Sequence, residues 1–205
     1  MKILIAVPSM DMVAAGFAQS LATLNKVGEC AVSFMVASLV YDSRNKLAAQ
    51  AIVNGADYVM WFDSDMLFNP DTLERLMEHM KDKDIVGGLY FRRIPPYTPV
   101  AFQHFPAEDI GKVEFKGMDD VPSEPVKVSG IGFGCLLMKT SVLIDVLSKE
   151  GDLFTPDGCG EDISFCNRAR RCGYDIWLDP SIECGHVGTN VVNRGFYDAY
   201  RGIQE

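Results

Sequence analysis

The stretch YVMWFDSDMLF, residues Tyr58 to Phe68, decides the fold. Five apolar or aromatic residues run without a break, two aspartates separated by one serine follow, and hydrophobicity then resumes. A short, unbroken apolar run of this kind reads as a strand buried on both faces, as in a parallel sheet covered by helices. In an extended chain, residues i and i+2 share a face at a spacing of roughly 6.5–7 Å, so Asp63 and Asp65 would stand side by side. Burying such a pair within a sheet costs several kcal/mol per ion before their mutual repulsion is counted. The strand must therefore end there, with both carboxylates in the crevice at its C-terminal edge, where open α/β sheets take their ligands.

The flanking segments continue the pattern. Residues 2–8, KILIAVP, form a buried strand ended by proline, and residues 11–28 read as a helix stopped by Gly28. CAVSFMVASL (30–39) is a second strand, and residues 42–55 a second helix, capped by Asp42 or Ser43 and closed by Asn54-Gly55. NPDTLERLMEHMK (69–81) is a third helix with Asn69 as its cap, Pro70 in its first turn and Leu73, Leu76, Met77 and Met80 as its buried stripe. DIVGGLYF (84–91) adds a fourth strand. The alternation predicts an α/β fold with a mostly parallel sheet and helices on both faces.

After Phe91 the pattern changes. Residues 92–125 are rich in proline, glycine and charge, as expected of a loop-and-hairpin insertion. VKVSGIGFGCLLMK (126–139) restores a strand, and helices follow at 140–149 and 161–173. YDIWLD (174–179) and SIECGHVG (181–188) read as two short strands, and the tail as partly helical or mobile. The expectation is one domain over 1–205: a nucleotide-binding half (1–91), an acceptor and catalytic half (92–189), and a tail or lid (190–205).

Bulk properties exclude several functions. The 205 residues are 48% hydrophobic, enough to bury a core, and the net charge of −9 offers no basic stripe for nucleic acid. No stretch approaches the roughly 18 apolar residues of a membrane span, nor does the N-terminus resemble a signal peptide, so a soluble, cytoplasmic protein is expected. The six cysteines contain no CxxC pair and read as reduced, packed thiols.

Asp63 and Asp65 are hard oxygen ligands that suit Mg2+ or Mn2+ shared with a phosphate, one binding directly and the other through water or to a ribose. The plainer alternative is local capping before Asn69-Pro70. The segments VMWFDSDMLFNPDTLERLM and GCGEDISFCNRARRCGYDIWLDPSIECGHVG together resemble a GT-A type glycosyltransferase of the family-two kind, over roughly 2–188. That resemblance implies a nucleotide-diphosphate sugar donor with a UDP or GDP carrier, an acceptor hydroxyl on a glycan, a lipid-linked molecule or a protein, and inverting hexosyl or N-acetylhexosaminyl transfer. It makes Asp63-Ser64-Asp65 the DxD motif, Glu161-Asp162 the pair bearing the catalytic carboxylate, and His186 the third metal ligand. Pro8 and Ser9 match the family's nucleotide turn, although Met10-Asp11 replaces the usual Tyr-Asn.

Helical spacing supports part of this. Asp162, Phe165, Cys166 and Ala169 share one side of their helix, with Glu161 about 100° away, so Asp162 is aimed at the cleft. Its plainer role is a first-turn acid on the helix dipole, worth ~0.3–1 kcal/mol. His186 alternatively reads as a core histidine on the face of Ile182 and Cys184. Arg44 and Asn45 stand where they would reach the nucleotide or its phosphates, or Arg44 is an ordinary surface residue. Arg92 and Arg93 would serve the diphosphate or the acceptor, and Arg194 and Arg201 a closing tail. The glycines at 130, 132 and 134 lack a following helix and read as a strand whose backbone an acceptor or sugar approaches closely, not a dinucleotide loop.

Rival functions are a haloacid-dehalogenase-like phosphatase with Asp63 as nucleophile, a nucleotidyltransferase, and a non-catalytic sugar-nucleotide or glycan-binding module. The phosphatase usually carries its DxD on the first strand, and the nucleotidyltransferase needs a basic, glycine-rich loop that PSMDMV does not supply.

Overall fold

The computed structural model describes residues 1–36 and 39–204. The end of the expected second strand, at 37 and 38, and residue 205 lie outside them. β1 (Lys2–Ser9), β2 (Glu29–Val36) and β3 (Tyr58–Phe62) alternate with α1 (Ala15–Thr23) and α2 (Val40–Val53). A two-residue strand β4 (Met66–Leu67) leads to α3 (Thr72–His79) and β5 (Ile85–Leu89). The insertion holds β6 (Ala101–Phe102), and the second half contributes β7 (Val126–Val128), β8 (Gly130–Ile131), β9 (Cys135–Lys139), α4 (Thr140–Glu150) and α5 (Glu161–Arg171). β10 (Ile176–Glu183), β11 (Gly185–Val187), β12 (Val191–Val192) and α6 (Arg194–Gln204) complete the order.

The main sheet has seven strands in the order β2-β1-β3-β9-β5-β10-β7. Five run in one direction, while β9 opposes β3 and β5, and β7 opposes β10. Strands from both halves of the sequence thus interleave in one sheet. β9 enters from the insertion at the C-terminal edge of β3 and runs back down, which sets its glycine-rich approach beside Asp63.

β3 behaves as its apolar run predicts. Val59 and Trp61 face one core with α2, α4 and α5, where Leu47, Leu143 and Phe165 meet them. Met60 and Phe62 face the other core, against Phe17 of α1 and Leu73 and Leu76 of α3. All four side chains are fully buried. At ~1.5–3 kcal/mol for each large apolar side chain, this double burial fixes the strand and hence where it must stop.

Several boundaries differ from the sequence reading. α1 ends at Thr23, not near Gly28, because Asn25 is tied to the start of α3: its N–H donates to Pro70 O (2.8 Å) and its amide to Glu74 (2.8 Å). α2 begins before Asp42 and Ser43, with Leu39 at the cap position. Asn69 accepts from the Thr72 N–H through its backbone oxygen (3.1 Å), so α3 is entered through a turn instead of a side-chain cap. Residues 126–139 form three strands, not one, and the break between the two strands expected over 174–188 falls at Cys184 instead of Pro180. The tail is a helix: Tyr197 stacks on Phe91 at 4.6 Å, and Arg201 pairs with Asp120 at 2.7 Å.

Candidate active site

The turn after β3 is fixed from three directions. The Asp63 N–H donates to Gly134 O (3.2 Å), Ala14 N–H to Ser64 O (3.2 Å), and Val187 N–H to Asp65 O (2.8 Å). Asp63 and Asp65 are therefore held by a turn and not by the strand geometry the sequence suggested, yet both carboxylates reach the same crevice. Pro8, Ser9, Arg44, Asp63, Ser64, Asp65, Glu161, Asp162 and His186 all line one open cavity of about 290 Å³. Met10, Val40, Ser43 and Arg93 complete its wall.

Three of the four carboxylates in the cavity have an arginine partner. Arg44 is 2% exposed, which removes the surface-arginine reading. Its Nη2 meets Asp63 Oδ1 at 2.8 Å and its Nε meets Glu161 Oε1 at 3.2 Å. Asn45 does not line the cavity; its Oδ1 accepts from Phe154 N–H at 3.2 Å, tying α2 to the loop before α5. Arg93 Nη1 reaches Asp65 Oδ2 at 2.8 Å. Burial alone would raise the Asp65 carboxyl, but His186 and Arg93 hold it below its ordinary value.

His186 is delivered by β11, which pairs with β4 directly after the aspartate turn. Its Nδ1 lies 2.8 Å from Phe91 O. A carbonyl only accepts, so Nδ1 carries the proton and Nε2 is turned to Asp65 Oδ1, 3.6 Å away. That gap lies between the ~3.0 Å of adjacent and the ~4.2 Å of opposite ligands on an ion with bonds near 2.1 Å. Among the described residues no three His, Cys, Asp or Glu side chains form a closed metal cluster. One carboxylate and one oriented imidazole fit Mn2+ or Mg2+ that takes its remaining ligands from water and a diphosphate.

Asp162 opens α5 beside Glu161, and both face the cavity. Burial, and then the adjacent Glu161 charge, raise the Asp162 carboxyl from 3.8 to about 6. A carboxyl poised there is ionised near neutrality and basic enough to take a proton.

Tyr90, which the sequence reading missed, explains Gly132 and Gly134. Its buried hydroxyl accepts from Gly134 N–H (3.2 Å), and burial pushes its ionisation well above the ordinary tyrosine range. A Cβ on Gly132 would fall 1.9 Å from Tyr90 Oη, and one on Gly134 2.8 Å from Tyr90 Cζ. Gly132 and Gly134 make room for this ring, not for a sugar or an acceptor, whereas a Cβ on Gly130 would meet Ile163 and Phe115. Arg92 is exposed and does not line the cavity, and Arg194 pairs with Asp198 in its own helix at 3.0 Å. No helix among the described residues is long and apolar enough to cross a membrane.

Comparisons with known proteins bear on this site. A family model described as Glycosyl transferase family 2 matches residues 41–147, a span that includes Arg44 and the aspartate turn but stops before Glu161 and His186. The crystal structure of A197 from STIV aligns with a TM-score of 0.63 at 15% identity over 94% of each chain. GalNAc-T7, crystallised with UDP, GalNAc and Mn2+, aligns with a TM-score of 0.64 at 10% identity over 91% of this chain and 44% of the other. At such identities the likeness is one of fold.

Proposed function

The chain belongs to glycosyl transferase family 2, and from that premise we propose that it transfers a hexosyl or N-acetylhexosaminyl group from UDP- or GDP-sugar to an acceptor hydroxyl, with inversion and with Mn2+ or Mg2+. The observation that carries this reading is the meeting, in one cavity, of the aspartate turn, the Glu161-Asp162 helix start and His186. Asp65 and His186 would hold the cation, with Asp63 behind them. Bound there, the ion would neutralise charge growing on the departing diphosphate. Pro8, Ser9 and Ser64 wall the side where the donor would lie.

Asp162 acts as general base. It takes the proton of the acceptor hydroxyl as that oxygen attacks the anomeric carbon, a contribution of typically ~10²–10⁴-fold. Its carboxyl, raised to about 6, matches that task at neutral pH. Arg93, 50% exposed at the cavity mouth, is free to exchange Asp65 for a phosphate oxygen when the donor enters. The phosphatase alternative needs Asp63 as a free nucleophile, but Oδ1 of that residue is held by Arg44.

A melting-temperature panel of UDP-, GDP-, CMP- and dTDP-sugars with and without Mn2+ tests the reading, since a ligand at 100 times its Kd stabilises by about 2.7 kcal/mol. A Mn2+-dependent rise with one donor class is expected. No rise with any of them would overturn the proposal, and binding without release of nucleotide would favour the non-catalytic module.

A further inference from the structure

Arg44 is a buried cation with unusual company. Its two ion pairs reach residues 19 and 117 positions away, Asp63 at the end of β3 and Glu161 at the start of α5. Its guanidinium carbon lies 5.7 Å from the Trp61 ring centre and 5.3 Å from that of Phe133. Nη1 is buried with no hydrogen-bond partner, so the two carboxylates and the rings are what hold the charge in place. A diphosphate could take this guanidinium only by breaking one of the two pairs and leaving a carboxylate unpaired beside it, which is costly in a poorly hydrated wall.

We propose that Arg44 is a positioning residue: it braces Asp63 against Glu161, fixes the distance between the donor side and the catalytic side of the cavity, and does not itself bind the donor's phosphates. The proposal rests on the glycosyltransferase reading above. Through Glu161 the brace sets where the neighbouring Asp162 stands relative to the reacting sugar. Through Asp63 it commits the first aspartate of the turn to the protein and leaves Asp65 to face the cation. A planar, two-edged cation suits this task; the point charge of lysine can satisfy only one of the two directions well.

The test compares the full chain with Arg44→Lys and Arg44→Met in three measurements. Calorimetric titration of UDP and of GDP in the presence of Mn2+ reads nucleotide affinity, and release of nucleotide from the matching sugar donor reads turnover. Melting temperatures of Arg44→Met, Glu161→Gln and the double variant read the brace itself. We expect nucleotide Kd to change by less than about threefold while kcat falls about 100-fold, the scale of a misplacement near 1 Å, with Arg44→Lys recovering part of the loss. The double variant should melt above Arg44→Met, because Glu161→Gln removes a carboxylate left unpaired. A Kd weakened tenfold or more with kcat retained would make Arg44 a phosphate ligand and overturn the proposal. So would a double variant that melts no higher than Arg44→Met. If Arg44→Met does not fold, a cycle of Arg44→Lys with Glu161→Gln carries the same comparison. Should wild type bind no nucleotide while the melting cycle shows coupling, the transferase reading fails and the brace between the two carboxylates stands.

Discussion

Lowering the pH from 7 to 5 should cost this enzyme about tenfold in kcat/KM, and the loss should trace to Asp162. Its carboxyl is raised from 3.8 to about 6 by burial and then by the Glu161 charge. With a value near 6 the base form makes up about nine-tenths at pH 7 and about one-tenth at pH 5. An ordinary aspartate would remain more than about nine-tenths ionised across the same range. Because kcat/KM reports the free enzyme, the acid limb should bend near pH 6 with donor and acceptor both dilute. The same displacement has a stability consequence, with a definite sign. Between about pH 4 and pH 6 the unfolded chain has released this proton and the folded chain has not. Stability from this group is therefore lost as pH rises through that window. A gap of about 2 pH units at 1.36 kcal/mol each sets a ceiling of roughly 3 kcal/mol, lessened by the water that reaches this half-buried residue. Asp162→Asn should thus lower transfer by ~10²–10⁴-fold and yet raise the melting temperature at pH 7. Rates from pH 4.5 to 8 in constant ionic strength, paired with melts of both proteins at pH 4 and 7, test both statements. An acid limb near pH 4, or an Asp162→Asn protein that turns over like wild type, would refute the reasoning.

Three further outcomes follow from the geometry. Asp65→Asn and His186→Ala should each remove the Mn2+-dependent part of the nucleotide-induced rise in melting temperature, since on the proposed reading these two side chains, 3.6 Å apart, would share one ion. Arg93→Gln should tighten binding of Mn2+ alone, measured by calorimetry without nucleotide, because the guanidinium at 2.8 Å no longer competes for Asp65 Oδ2; weaker or unchanged binding would remove Arg93 from that role. Gly132→Ala should destabilise by at least ~1–3 kcal/mol, as its Cβ would fall 1.9 Å from Tyr90 Oη and 2.7 Å from Val100 Cγ1. Adding Tyr90→Phe should restore part of that loss in urea melts, and no restoration would show that the hydroxyl is not what the glycine accommodates.

What the sequence revealed, and what it withheld, divides by distance along the chain. The strand ending just before Asp63 was legible because an apolar run and the cost of burying charge are both local facts. The inward side of α5 was legible from helical spacing, and His186 came into view through resemblance alone, since nothing local distinguishes it from a core histidine. The direction of β9 was hidden, because a run such as Cys135–Lys139 has the same residue pattern whichever way it points; its antiparallel course follows from where the insertion delivers the chain. The glycines at 132 and 134 were misread for a related reason: the ring that needs their space is Tyr90, more than 40 positions away.

Arg44 is the sharpest case. Beside Asn45 on a polar-looking helix its local signal is that of a surface arginine, and only the fold brings it between Asp63 and Glu161. The electrostatics of the cavity then follow from an imbalance. Four carboxylates, Asp63, Asp65, Glu161 and Asp162, face two arginines. Arg44 is committed to two of the acids, and Arg93 leans on a third from an exposed position that it can leave. Such a site in a chain of net charge −9 repels a diphosphate until positive charge is added. Asp65, with one oxygen toward His186 and the other under a removable guanidinium, is the point at which a divalent cation would correct that balance most directly.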